Sequence, residues 1–265
     1  MGCAGKRMED VKVPYWMGKF SVMVIAHRGF SGDAPENTLA AFQKAIEVGC
    51  DMMELDVHLS RDGQVVVIHD HSLERTTNGR GKVADYTLEE LKQLDAGFWF
   101  ATRFLGEPIP TLKEALQLAK GRILVNIEIK NGSLGQYTIT DLVDRTLREV
   151  EKAAMAEQVI FSSFYPPALD RIRERDSRLW VALLYHRSWR SIPQVTAGKS
   201  FPILNLRNSF LTKGKIARIH QEGIRVNTYT VNAAAQMERF IRWGVDGIIT
   251  NHPDRLIKIL QKKSK

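Results

Sequence analysis

The run Met52-Met53-Glu54-Leu55-Asp56-Val57 carries two carboxylates two residues apart in an otherwise apolar segment. On a strand that spacing puts Glu54 and Asp56 on one face. Buried side by side they repel, so either one holds a proton or a cation lies between them. Oxygen ligands with no accompanying Cys or His cluster suit Mg²⁺ or Ca²⁺ better than zinc. The competing explanation is a carboxylate pair neutralised by Arg or Lys within the fold. A second segment, Asn126-Ile127-Glu128-Ile129-Lys130, repeats the anomaly, polar on one face and Ile on the other. Glu128 could complete a three-carboxylate cation site with Glu54 and Asp56, and Lys130 could then face a phosphate oxygen.

His27 and Arg28 follow the apolar run Val24-Ile25-Ala26. A guanidinium recognises phosphate through paired hydrogen bonds. Imidazoles titrate near neutrality, so with His69 as the second ring one could act as base while the other protonates a leaving oxygen. His58 alternates with Glu54 and Asp56 but lies toward a turn, and His71 follows Asp70 on a loop; both are weaker candidates. Phe240 and Trp243 lie on a helical pattern and read as packing.

These groups need a scaffold that gathers strand ends. From Val22 onward, short β-branched runs alternate with amphipathic stretches, the pattern of a parallel sheet with helical crossovers. Eight strands are expected, at Val22 to Ala26, Asp51 to Val57, Ile123 to Ile129, Val159 to Ser163, Trp180 to Leu184, Pro202 to Leu206, Arg225 to Thr230 and Gly247 to Thr250. Helical patterns fall between them at Leu39 to Val48, Leu112 to Ala119, Ile139 to Met155, Ala168 to Arg175, Lys213 to Gln221 and Ala234 to Trp243. Eight such strands imply a single (β/α)8 barrel of the TIM type, whose catalytic groups sit at the carboxyl edge of the strands.

One run, Gln64 to His69, does not fit that count. It follows Ser60 across only Arg61-Asp62-Gly63, whereas a parallel neighbour needs a crossover of roughly a dozen residues. Asp62-Gly63 is a hairpin turn signal. Folding back with Ser60 opposite Gln64 puts His69 opposite Leu55, at the level of Glu54 and Asp56. Residues 70–110 then form an inserted segment with a short helix near Leu88 to Leu94 and the aromatic run Phe98-Trp99-Phe100. It is expected either to cap the barrel mouth or to fold on a small core of its own.

The chain of 265 residues suits one such domain over 21–265, with residues 1–20 as a leader or arm. Lys and Arg outnumber Asp and Glu by 38 to 30, which favours anionic partners. The excess is dispersed, gathering only at Arg171 to Arg178, Arg187 to Arg190 and the Lys262, Lys263, Lys265 tail, without a nucleic-acid module. No apolar run approaches the ~20 residues that span a bilayer, which argues against stable membrane insertion. Cys3 and Cys50 offer neither a disulfide framework nor a metal-ligand spacing, consistent with a reducing, cytoplasmic setting.

Read in order, HRG at 27–29, PENT at 35–38, ELD at 54–56, DG at 62–63, HD at 69–70, TTNG at 76–79 and EIK at 128–130 resemble the glycerophosphodiester phosphodiesterase family. The similarity continues through SSF at 162–164, TVN at 230–232 and GVDGIIT at 244–250, and so covers essentially Val22 to Leu260. The resemblance implies a β/α barrel with His27 and His69 in acid-base catalysis. It implies one divalent cation on Glu54, Asp56 and Glu128, with Arg28 and Lys130 on the phosphate. The implied products are sn-glycerol 3-phosphate and an alcohol such as choline, ethanolamine or inositol. Two positions depart from the family pattern: Tyr229, an aromatic wall for the substrate, stands where Trp is common, and Asn251 where Asp is common.

The expected activity is therefore metal-dependent hydrolysis of a small glycerophosphodiester. The alternatives are a lysophospholipase-D-like enzyme, which would need an apolar channel for an acyl chain, and an inactive phosphate-binding scaffold. The residues suit Mg²⁺ and Ca²⁺ alike, and either histidine can serve as the base.

Overall fold

Eight strands run parallel and close on themselves among the residues that the computed structural model describes, 21–186 and 201–263. The expected arm at 1–20, with Cys3, lies outside them, as do Arg187 to Arg190 and Lys265. The barrel strands are β1 (Met23–Ala26), β2 (Met52–Leu59), β4 (Leu124–Ile129), β5 (Val159–Ser163), β6 (Trp180–Tyr185), β7 (Ile203–Arg207), β8 (Arg225–Tyr229) and β9 (Gly247–Thr250). Pairing proceeds around the ring in that order, and β1 closes it by pairing with both β2 and β9. Helices α1 (Leu39–Glu47), α3 (Leu112–Ala119), α4 (Ile139–Ala153), α5 (Pro166–Arg175), α6 (Lys213–Gln221), α7 (Ala234–Trp243) and α8 (Pro253–Lys263) accompany the strands. The last of these covers Lys262 and Lys263, so a stretch notable in sequence for its basic end is helical.

The strands read apolar on both faces because helices cover the outside and side chains fill the inside. Outward residues such as Met53, Leu55, Val125, Ile127 and Phe161 join the main core with the helices. Inward residues change character along the strands. Near the amino ends Met23, Met52, Leu124, Ile160 and Ile203 form an apolar plug. One and two pleats further on, the same face of β2, β4 and β5 presents Glu54, Asp56, Asn126, Glu128 and Ser162, all buried. The plug closes the barrel from below and leaves the polar layer open at the carboxyl end.

The hairpin has the register expected from Asp62-Gly63. Strand β3 (Val65–Val67) pairs antiparallel with β2 through Val57 with Val67, His58 with Val66 and Leu59 with Val65. The Ser60 N–H bonds the Gln64 carbonyl at 3.0 Å, and the Ile68 N–H bonds the Asp56 carbonyl at 3.1 Å, carrying the same register toward His69. Gly63 turns the chain at φ +75°, where a side chain is strained. The inserted segment, with the short α2 (Leu88–Lys92), folds on its own cluster of Val66, Ile68, Leu73, Val83, Leu91, Ala96 and Ile109. Of the two expectations for it, the separate core is the one observed.

Candidate active site

At the carboxyl end of the barrel lies a cavity of about 200 Å³, lined by His27, Arg28, Glu54, His69, Glu128, Lys130 and Tyr229 among others. Asp56, 1% exposed, stands one pleat beyond Glu54 on the same face of β2, covered by Arg28 and Lys130. The eight site residues expected from sequence therefore converge on one place, although they come from four strand ends and the hairpin.

The carboxylates come together because β2 and β4 are parallel neighbours in a register that sets Asp56 beside Glu128 and Glu54 beside Asn126. One oxygen from each of Glu54, Asp56 and Glu128 lies within 4.8 Å of the others. Their charge is strongly mismatched to their burial. Desolvation, then Asp56 and Glu128, raise Glu54 well above the usual carboxyl range. Burial also lifts Glu128, to about 7, against the pull of Lys130. Burial acts on Asp56 too, but Lys130, Arg28 and His69 outweigh it and hold Asp56 ionised.

Asp56 Oδ1 has no hydrogen-bond partner, and three acidic side chains converge with more negative charge than the buried site accommodates. Hard oxygen donors of this kind fit a divalent Mg²⁺ or Ca²⁺. The three would hold the ion, which would supply positive charge at the phosphate. Part of the alternative, neutralisation by cationic side chains, is also present. Lys130 Nζ donates to Glu128 Oε1 at 2.7 Å and lies 3.3 Å from Asp56 Oδ1, and Arg28 Nε is 3.5 Å from Asp56 Oδ2.

Arg28 is placed by an uncommon backbone. It adopts φ +56°, followed by Gly29 at +77° and, further along the loop, Asn37 at +58°. This tight turn aims the Arg28 N–H at Glu54 Oε2, 2.8 Å away, and its guanidinium at Glu36, 2.7 Å away. Asn37 donates to Asp56 Oδ2 at 2.8 Å and accepts from the Asp56 N–H at 3.2 Å. The PENT motif is thereby a brace for the carboxylates and for Arg28.

The two imidazoles are held differently. His27 Nδ1–H donates to Asn251 Oδ1 at 2.7 Å, so Asn251 is the partner of the first histidine. Burial, with Arg28 beside it, lowers His27 to about 4. His69 Nδ1–H donates instead to the carboxylate of Asp70, which Arg75 engages on its other oxygen. Arg75 also grips both oxygens of Glu36, linking the second histidine to Arg28 through one charged chain. Burial lowers His69, and Asp56 opposes that shift.

His58 does not line the cavity. It is 2% exposed, and its Nε2–H donates to the His69 backbone carbonyl at 3.0 Å, fixing the second histidine from behind. His71 is exposed on its loop. Phe240 is fully buried with Trp243 packed against it, 5.4 Å between ring centroids, as expected of packing residues. Tyr229 forms a wall with Phe164, their rings edge-on with centroids 6.0 Å apart. Its hydroxyl donates to the Tyr185 carbonyl at 3.1 Å. Leu184 and Ile249 complete the apolar side. Residues 72–110 contribute no lining side chain, so the inserted segment does not supply an acyl channel in this cavity.

Glu36, Asn37, Asp70, Arg75 and Asn251 are thus working parts that strand parity did not single out. All five stood within or beside the quoted motifs, Arg75 directly before TTNG and Asn251 directly after GVDGIIT, and the polar residues of those motifs were the available signal.

A model of the glycerophosphoryl diester phosphodiesterase family matches residues 27–255. The chain is 40% identical over 245 residues to a glycerophosphodiester phosphodiesterase of Caldanaerobacter subterraneus, covering 91% of this chain and 98% of that protein. It is 35% identical over 245 residues to the enzyme of that name from Bacillus altitudinis, covering 90% and 98%. Among solved structures, an Oleispira antarctica phosphodiesterase in complex with the product sn-glycerol-3-phosphate superimposes with a TM-score of 0.81 at 30% identity, over 90% of this chain and 96% of that one.

Proposed function

The chain belongs to the glycerophosphoryl diester phosphodiesterase family, and from that membership we propose that it hydrolyses small glycerophosphodiesters to sn-glycerol 3-phosphate and an alcohol, using His27 and His69 with one divalent cation. The observation that carries this reading is the convergence of two imidazoles, three carboxylates, a guanidinium and an ammonium on one cavity. The product-bound Oleispira relative supports glycerophosphate as the common half of the substrate.

In this reading Glu54, Asp56 and Glu128 bind Mg²⁺ or Ca²⁺, and Arg28 and Lys130 add positive charge where the transition state becomes more anionic. His27 rests against a neutral amide and is uncharged at neutral pH, which suits it to accept the proton of the nucleophile. That nucleophile is either water or the free glycerol 2-hydroxyl, which would expel the alcohol to leave a cyclic glycerophosphate that water then opens. His69 has a carboxylate on Nδ1 that offsets part of the lowering by burial, which suits it better than His27 to carry a proton to the departing alkoxide. Arg28 orients the phosphate while Glu36 fixes its guanidinium plane. The Phe164 and Tyr229 wall receives an apolar part of the substrate.

The work is expected in the cytoplasm on soluble products of lipid breakdown; no helix of the described residues is long and apolar enough to cross a membrane. Replacement of His27 or His69 by Ala should each cut turnover of glycerophosphocholine by about 10²-fold or more, with cation affinity preserved. Near-normal turnover in either variant would refute the assignment. Turnover of lysophosphatidylcholine measured beside it separates this reading from the lysophospholipase-D-like one.

A further inference from the structure

Two polar side chains in the cavity have no part in the chemistry above. Asn126 and Ser162 are 3% and 0% exposed, both line the cavity, and neither Asn126 Oδ1 nor Ser162 Oγ has a hydrogen-bond partner. Buried polar atoms are rarely left unpaired unless a ligand or ordered water answers them. Thr146 and Thr228 also carry unpaired buried hydroxyls, but they do not line this cavity.

Their positions relate them to the carboxylates. Asn126 on β4 is in register with Glu54 on β2, and Ser162 on β5 is in register with Glu128 on β4. Parallel partners in register share a face and stand about 4.8 Å apart across the ladder. Asp56, Glu128 and Ser162 make one row, and Glu54 and Asn126 make the row beneath it. The adjacent Ser163 points the other way and donates to the Ile129 carbonyl at 2.8 Å, so an outward hydroxyl on the same strand is satisfied where the inward one is not.

We propose that Asn126 and Ser162 belong to the cation site, their oxygens extending the three carboxylates to a five-residue oxygen cage that favours Ca²⁺ over Mg²⁺. Ca²⁺ takes six to eight oxygens in flexible geometry and accepts amide oxygens readily. Mg²⁺ demands a smaller octahedron and keeps several waters, so it has less use for neutral donors beyond the carboxylates. The proposal rests on the three-carboxylate reading of the site.

Calorimetric titration of the full chain with CaCl₂ and with MgCl₂ tests both levels. The expected results are that Asn126→Ala weakens Ca²⁺ binding about tenfold, as loss of a supporting group does, that Ser162→Ala weakens it by a smaller factor, and that Mg²⁺ binding changes less than Ca²⁺ binding in each. Thr228→Val, which removes an unpaired hydroxyl elsewhere in the barrel, should change neither. Should Asn126→Ala not fold, Asn126→Asp is informative: a fourth carboxylate on the ion tightens Ca²⁺ binding, whereas a residue that only packs gives no gain. Parent-like affinities for both ions in the Asn126 and Ser162 variants would overturn the cage and leave the carboxylate site standing. Failure of the parent chain to bind either ion would overturn both.

Discussion

At the scale of single residues, the site is governed by what each charged group has beside it. Asn251 gives His27 a neutral partner, whereas Asp70 gives His69 a charged one. Asn251→Asp should stabilise the His27 imidazolium and move the acidic limb of the kcat/KM profile to higher pH, by about one unit if the carboxylate is partly solvated. A profile that does not move would mean that His27 is not the proton acceptor. Lys130 sits on two of the three carboxylates and competes with any ion there. A unit charge some 4 Å from an ion in a partly screened site is a large repulsion. Lys130→Met should therefore tighten divalent-cation binding by about tenfold or more while lowering turnover, since the phosphate loses a cationic partner. Titration calorimetry and steady-state kinetics on the same variant read the two opposite effects.

At the scale of elements, the β1–α1 loop and the β2–β3 hairpin do the positioning. The loop holds Arg28 in a left-handed conformation only because Gly29 continues the turn at φ +77°, packed so closely on α1 that an added Cβ would lie 2.7 Å from the Ala41 backbone carbon and 2.8 Å from its carbonyl oxygen. Backbone atoms of a helix cannot swing aside as a side-chain end can. Gly29→Ala should cost roughly 2 kcal/mol or more in stability and reduce activity beyond that loss, because His27 and Arg28 would shift. Urea denaturation with an activity assay on the folded fraction checks it. The hairpin fixes His69 by register, and β2 carries both Glu54 and Asp56, so one pair of strands sets the distance between the His69 ring and the carboxylates. The inserted segment has its own small core and reaches the site through Arg75.

For the whole molecule, the buried acids should link folding stability to cation binding. Glu54 and Glu128 are held above their ordinary range without an ion, Glu128 to about 7. A raised acid contributes stability that is fully present below its unfolded value near 4.5 and is lost as pH rises through its folded value. Asp56 runs the other way, its contribution lost only as pH falls below the ordinary Asp range. Buried His27 and His58, lowered to about 4, oppose the raised acids below the ordinary His value of 6.5, so it is between about pH 6.5 and 8 that the raised acids decide the trend. Melting of the ion-free protein should occur at lower temperature as pH rises through that window, and saturating Ca²⁺ or Mg²⁺ should remove the fall. Ion binding should also release protons and strengthen toward pH 7. A melting curve indifferent to both pH and ions would contradict the linkage. The net charge of +8 fits a barrel that receives an anionic substrate, though many of its arginines, such as Arg171 and Arg175 on Asp144, are paired on the outer surface.

The sequence by itself determined the strand faces, because a period of two in β-branched runs says which side chains share a side. It also determined the hairpin register, because Asp62-Gly63 leaves one way to fold back. From these came the carboxylate pair, Glu128 opposite it, and His69 returning to their level, in agreement with the observed pairings. Tertiary structure alone decided the partners across the barrel. Asn251 meets His27 across 224 positions, and Arg75 meets Glu36 across 39. Such contacts leave no periodic trace, since they arise from closure of the ring and from where an inserted core happens to lie. Closure also decided that Tyr229 turns its hydroxyl to Tyr185, and that the apolar plug ends where the acidic layer begins. Local pattern encodes which face a side chain takes, and only the closed barrel encodes what it finds there.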